Sequence, residues 1–148
     1  MNEPARLALL DVNVLVALAW PNHVHHQAAH QWFSSSSGVG WVTTAVTEAG
    51  FVRVSSNRAA IANATSPARA IDLLAAMTAL DGHTFWPDDV ASVTAGFGDP
   101  ELLVSHRDVT DAHLLALAER HGGTLVTFDG RIRRLLGARD PALLSIRT

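Results

Sequence analysis

The chain has 148 residues, 48% of them hydrophobic, and a formal net charge of −3. That balance suits one globular domain with a buried core, and excludes a disordered chain or a general polyanion binder. Cysteine is absent, so disulfides and thiolate metal sites are excluded, and all eleven basic residues are arginine, which removes the lysine-dependent P-loop.

The start, MNEPARLALLDVN, lacks the basic region and long apolar run of a signal peptide. No stretch is long and apolar enough to span a membrane. Together with the missing cysteines, this sets a cytoplasmic expectation.

Leu7 to Leu10 read as a buried first strand ending at Asp11. Asn13 is expected to cap a helix from Val14 to Trp20, stopped by Pro21. Asn22 opens a second helix, His23 to Phe33, and Ser34 to Gly40 form a loop. Trp41 to Thr43 is a strand, followed by a helix from Ala45 to Val54. Ser66-Pro67 opens a helix in the N-cap and N1 pattern, reaching about Leu80. His83 to Trp86 is a strand, Pro87-Asp88 starts a small helix, and Gly96 to Pro100 is a loop. Asp108 or Thr110 caps a long apolar helix that ends near His121, before Gly122-Gly123. Thr124 to Thr127 is a strand, Asp129 to Leu136 a helix, and Leu143 to Ile146 a last strand. Alternating strands and helices predict a parallel sheet covered on both faces, an α/β fold in a single domain over 1–148.

Asp11, Glu48, Asp111 and Asp129 each fall where a predicted strand hands over to a helix. Ligands of open α/β sheets bind at that edge. Gathered carboxylates repel one another unless a cation sits among them, and hard ions such as Mg²⁺ prefer oxygen ligands. Each residue also has a plainer reading. Asp11 and Asp129 suit helix N-caps, Asp111 suits the first helical turn, and Glu48 suits a solvated position. Asp108 competes with Asp111 and is placed as a cap or supporting group. Asn13, Thr110 and Thr127 are expected to orient ligands or water around the acidic set. The combination predicts metal-dependent phosphate chemistry with one or two ions.

The segments LLDVNVLVALAW, PNHVHHQAAHQWF, TTAVTEAGFVRVSSN and VTDAHLLALAERHGGTLVTFD resemble the PIN-domain ribonucleases, specifically VapC-type toxins of bacterial toxin–antitoxin pairs. The resemblance runs from Leu9 to Gly130 in order. It implies a three-layer α/β/α sandwich with a central parallel sheet. It also implies an Mg²⁺ cofactor that Mn²⁺ replaces, and endonucleolytic cleavage of RNA. Carried over by position, the acidic site is Asp11, Glu48, Asp111 and Asp129, with Asn13 in support. A homodimer and a small antitoxin that blocks the site complete the implied picture. Two other readings stand beside it: a 5′-nuclease-like or housekeeping RNA-processing enzyme, and an inactive PIN-like binding module. The intact acidic set argues against the last.

Arg131, Arg133 and Arg134 crowd the segment after Asp129, facing phosphate or simply solvating it, and Arg53 is a weaker candidate for RNA contact. His23, His25, His26 and His30 form a cluster. Its readings are a polar helix face, a transition-metal pair at His26 and His30, or an RNA contact. Trp20, Trp32, Phe33 and Trp41 are assigned to the core or a dimer interface.

Overall fold

The computed structural model describes residues 6–36, 40–91, 94, 99–136 and 142–148. Five strands make one parallel sheet: β1 (Ala8–Leu10), β2 (Trp41–Thr44), β3 (His83–Trp86), β4 (Thr124–Thr127) and β5 (Leu143–Ser145). Among the described residues the α-helices are α1 (Val12–Ala19), α2 (His26–Ser35), α3 (Ala45–Ser55), α4 (Pro67–Thr78) and α5 (His106–Arg120). The spatial order is β3-β2-β1-β4-β5.

The inner strands β1, β2 and β4 are buried on both faces, as parallel strands between helices must be, whereas edge strand β3 leaves Thr84 and Phe85 exposed. Successive side chains then sort by parity. Ala8, Leu10, Trp41 and Val126 join α1, α3 and α4 through Leu15, Phe51 and Leu74. Leu9, Val42 and Leu125 join α5 and the segment after β4 through Leu114, Leu117, Ile132 and Leu135 on the other face. The three-layer α/β/α sandwich expected from the sequence is therefore present. Helix α5 has an unbroken buried run from Leu114 to Ala118, which explains why its apolar residues do not form a single stripe.

Gly50 and Gly123 mark close approaches. A Cβ at Gly50 would meet Val12 Cγ2 at 2.6 Å, where α3 crosses α1, and one at Gly123 would meet Trp86 at 2.5 Å and the Leu7 carbonyl at 2.8 Å.

Strands β3 and β4 and the start of α4 follow the expected bounds, and Ser66 accepts the Arg69 N–H as the N-cap of α4. Several boundaries differ. Asp11, not Asn13, caps α1: its Oδ1 accepts the Val12 N–H at 2.7 Å, while the Asn13 carboxamide reaches β4. Helix α2 begins at His26 because His23 forms a turn, its Nδ1 accepting the His25 N–H and its carbonyl the His26 N–H. Ser34 and Ser35 extend that helix, and the rest of the expected loop, 37–39, lies outside the described residues. No helix starts at Asp88 within 87–91, because its side chain bonds Val46 N–H and His113 rather than its own following amides. Most of the expected loop at Gly96 to Pro100 lies outside the described residues, and a 3-10 turn begins at Pro100. Ser105, not Asp108 or Thr110, is the N-cap of α5. The segment after Asp129 is a 3-10 helix over Gly130–Leu135 rather than an α-helix.

Candidate active site

The chain runs outward from β1 to β2 and β3, then crosses back to β4 and β5. The reversal falls between β1 and β4, and the crevice at the carboxyl ends of those strands is where open α/β sheets bind ligands. Asp11 follows β1 and is buried, with 9% of its surface exposed. Thr127, the last residue of β4, donates its hydroxyl to Asp11 Oδ2 at 2.8 Å. The Thr127 hydroxyl oxygen itself accepts from Asn13 Nδ2 at 3.2 Å and from the Asp129 N–H at 3.0 Å. Asn13 Oδ1 accepts the Phe128 N–H. Asp11, Asn13, Thr127 and Asp129 are thus one hydrogen-bonded unit across the seam.

Asp111 enters from α5. It lies more than a turn inside the helix, not in the first turn, and the element directly before that helix is the 3-10 turn at Pro100 rather than a strand. Its carboxyl is pushed up to about 7, first by burial and then by the charges of Asp11, Asp129 and Asp108. Burial also raises Asp11, with Asp129 adding to it. Both shifts mark negative charge crowded into a low-dielectric crevice.

Asp129 is held differently. Arg131 forks it, with Nε on Oδ1 at 3.0 Å and Nη2 on Oδ2 at 3.1 Å, which lowers its pKa. Asp108 accepts the N–H groups of Val104 and Ser105 and pairs with Arg134, which holds it down at about 2. It braces the start of α5 as the third residue of the Ser105 capping box. A cavity of about 180 Å³ lies over this face, lined by Ser105, Arg107, Asp108, Asp111, Asp129 and Arg131 among others. Arg107 escaped the sequence reading, although it stands one turn before Asp111 at helical spacing.

Glu48 lies in the first turn of α3, half-buried, after the buried end of β2. Its Oε2 accepts the Thr43 hydroxyl at 2.6 Å, and Thr43 Oγ1 is 2.7 Å from His83 Nε2. The Thr43 hydroxyl thus stands between the carboxylate and the imidazole. This carboxylate–hydroxyl–imidazole chain points toward β3, whereas the three aspartates are coupled across β1, β4 and α5. Neither Thr43 nor His83 was singled out from the sequence. Thr110 and Arg53 are exposed on their helices, and Arg133 is exposed beside the paired Arg131 and Arg134. Arg134 also donates to the Leu102 carbonyl at 2.7 Å.

Among the described residues, no three His, Cys, Asp or Glu side chains stand close enough to clasp a metal ion unaided. The donor chemistry nonetheless fits a hard cation: carboxylates, a carboxamide and hydroxyls, with charge crowding at Asp111. Mg²⁺ keeps several waters and needs only one or two protein carboxylates directly.

The histidine cluster divides. His26 Nδ1 donates to the Ala17 carbonyl at 2.7 Å and His30 Nε2 to the Leu18 carbonyl at 2.9 Å, closing the last turn of α1. His25 stacks on Phe128, centroids 4.8 Å apart at 25°. Trp32, Phe33 and Trp41 form an edge-to-face series, and Trp20 Nε1 donates to the buried Ser55 hydroxyl.

The family model for the PIN domain matches residues 8–137. The chain belongs to the PIN-domain family. Within it, the similarity is to the VapC ribonucleases. Ribonuclease VapC39 of Mycobacterium tuberculosis is 61% identical over 125 residues, covering 84% of this chain and 90% of the relative. Ribonuclease VapC38 of the same species is 46% identical over 142 residues, covering 96% and 99%. The PIN fold is matched as well by VapC20 of M. tuberculosis, described as a sarcin-ricin loop cleaving toxin, with a TM-score of 0.60 at 15% identity, covering 85% of this chain and 92% of that one. VapBC2 from Rickettsia felis, bound to a DNA fragment from their promoter, gives 0.59 at 14% identity, covering 95% and 99%. This PIN protein is therefore a ribonuclease of the VapC group. Among its described residues no helix is long and apolar enough to cross a membrane.

Proposed function

We propose that this chain, one PIN domain over 1–148, is a metal-dependent endoribonuclease and the toxin of a toxin–antitoxin pair, acting in the cytoplasm as a homodimer. The observation that carries the reading is the convergence of Asp11, Asp111 and Asp129 at the sheet reversal, where Asp11 and Asp129 raise the cost of charging Asp111, and Asp129 that of charging Asp11. The VapC39 and VapC38 relatives support RNA as the substrate. The likeness to VapBC2 supports a protein partner.

Asp11, Asp111, Asp129 and Glu48 are the residues that would hold Mg²⁺, with Mn²⁺ as a substitute. The ion would supply polarisation of a phosphodiester oxygen and a lowered pKa for the attacking water. Thr127 and Asn13 fix the orientations of Asp11 and the backbone around Asp129, which keeps the acidic groups preorganised. Arg107 and Arg131 border the same cavity and provide planar cations for backbone phosphates. Arg134 reaches the cavity while bound to Asp108.

Cleavage of RNA and DNA substrates with EDTA, then with Mg²⁺ or Mn²⁺, tests the activity. Metal-dependent internal cuts in RNA alone are expected, and equal cutting of DNA would favour the 5′-nuclease-like alternative. The partner is expected to place a basic side chain among the carboxylates. High Mg²⁺ should then weaken the complex, and affinity unchanged across a metal titration would locate the inhibition elsewhere.

A further inference from the structure

A second cavity, about 260 Å³, lies beyond the far end of α1 from the acidic crevice, lined by Trp20, Asn22, His23, Val24, Ile61 and Ala62 among others. None of its lining residues is charged. We propose that it is a nucleobase-binding pocket for the RNA substrate, holding a base that flanks the cut site. The proposal rests on the ribonuclease reading and adds where its sequence preference comes from.

The pocket is a built site. The indole of Trp20 is anchored by its Nε1 donating to the buried Ser55 hydroxyl at 3.0 Å, so its position does not depend on a ligand. The opposite wall is a closed turn: Ala60 and Ile61 N–H groups donate to the Asn57 carbonyl, Ala59 N–H to the Asn57 side chain, and Thr65 N–H to the Ser55 carbonyl. A flat ring between an indole and aliphatic side chains gains stacking and dispersion without needing a charge.

The polar groups are those that read a base edge. His23 Nδ1 accepts the His25 N–H at 3.0 Å, so the ring hydrogen sits on Nε2, which remains a donor. Burial and the neighbouring His25 and His26 lower its pKa and keep it neutral. Asn22, exposed at the rim, adds one donor group and one acceptor. A neutral pocket with a fixed imidazole donor and a carboxamide suits a base and disfavours a free phosphate, which would seek arginine.

A ring track joins the two sites. The His23 and His25 rings are 5.7 Å apart, and His25 stacks on Phe128, which directly precedes Asp129. Single-stranded RNA is recognised by splaying bases onto such rings. A strand with its phosphate over Asp129 would lay its next bases along this track and end one in the pocket.

The test has two arms. In the first, ¹⁵N–¹H spectra of metal-free protein in EDTA are recorded against a short single-stranded RNA and against each of the four ribonucleosides. Saturable shifts are expected at the Asn22 side chain, the Trp20 indole and Ala62, with one base favoured. In the second, Asn22→Ala and Ala62→Trp, both at exposed positions that leave the fold intact, are assayed with the same RNA. About tenfold weaker binding is expected for Ala62→Trp, the scale of one lost stacked base. Sequenced cleavage ends should lose a base preference beside the cut in both variants. Unchanged affinity and unchanged preference in both variants, or RNA shifts that bypass the pocket, would overturn the proposal while leaving the ribonuclease reading in place. Pocket shifts with RNA, in a protein that cuts no RNA under any metal, would do the reverse.

Discussion

Thr127 bonds Asp11 across the seam between β1 and β4, at 2.8 Å, and is itself fully buried. Its hydroxyl also takes hydrogen bonds from Asn13 and from the Asp129 N–H. Replacement by valine keeps the shape and strands three polar partners. Thr127→Val should destabilise the protein by about 1–3 kcal/mol, read by urea denaturation. A loss below the error of that measurement would show that water takes over the hydroxyl's bonds.

Asp11→Asn keeps size and removes one charge from the crowded crevice. Because Asp11 carries a burial penalty, metal-free stability should be equal or higher. RNA cleavage should fall below detection. Wild-type turnover in this variant would show that Asp11 belongs only to the cap of α1.

Asp111 makes metal-free stability depend on pH. Its folded pKa is about 7 against an ordinary 3.8, so across that window the folded protein binds a proton the unfolded chain has released. Stability therefore falls as pH rises through the window, with the full penalty present above about pH 7. His23 and His83, held neutral by burial, act in the opposite direction below their ordinary 6.5. The difference between wild type and Asp111→Asn isolates the carboxylate. Parallel melting-temperature curves for the two proteins across this range would remove Asp111 as the source.

On the proposed reading a divalent ion favours the folded crevice over the unfolded chain, so it should raise the melting temperature. Calorimetry in EDTA and then in Mg²⁺ or Mn²⁺ measures the gain. Asp111→Asn should abolish most of it. Glu48→Gln is the discriminating variant, since Glu48 is tied toward Thr43 and His83. A gain as large as wild type in Glu48→Gln would place Glu48 outside the ion's ligands.

Arg131 occupies both oxygens of Asp129. It is an exposed pair, so its loss should change stability by less than about 0.5 kcal/mol. Arg131→Ala should instead raise the Asp129 pKa toward its ordinary value and tighten metal binding. Isothermal titration with Mn²⁺ reads the second effect, and weaker binding would mean that Arg131 orients Asp129 rather than competing for it.

The sequence made the sheet legible because its buried strands are short apolar runs bounded by turn residues; β3 and β4 match residue for residue. Asp11 and Asp129 were visible for the same reason, each following such a run. Helix starts were harder wherever a side chain bonded across the fold rather than locally. Asn13 was drawn to β4, Asp88 to α3 and α5, and His23 folded back on its own turn. The support of Glu48 was out of reach, since Thr43 and His83 meet only through the pairing of β2 with β3. The split of the histidines, two closing α1 and one stacked on Phe128, likewise depends on where α2 lies.

Asp11 and its partner Thr127 are 116 residues apart in the chain. A ribosome making this protein releases the first half of the site early and the second half only near the end of translation. Until β4 emerges, β1 lacks one of its two strand neighbours, and Asp11 has neither the Thr127 hydroxyl nor the neighbouring Asp129. The crevice is therefore completed in one step, with the closing of the seam between β1 and β4.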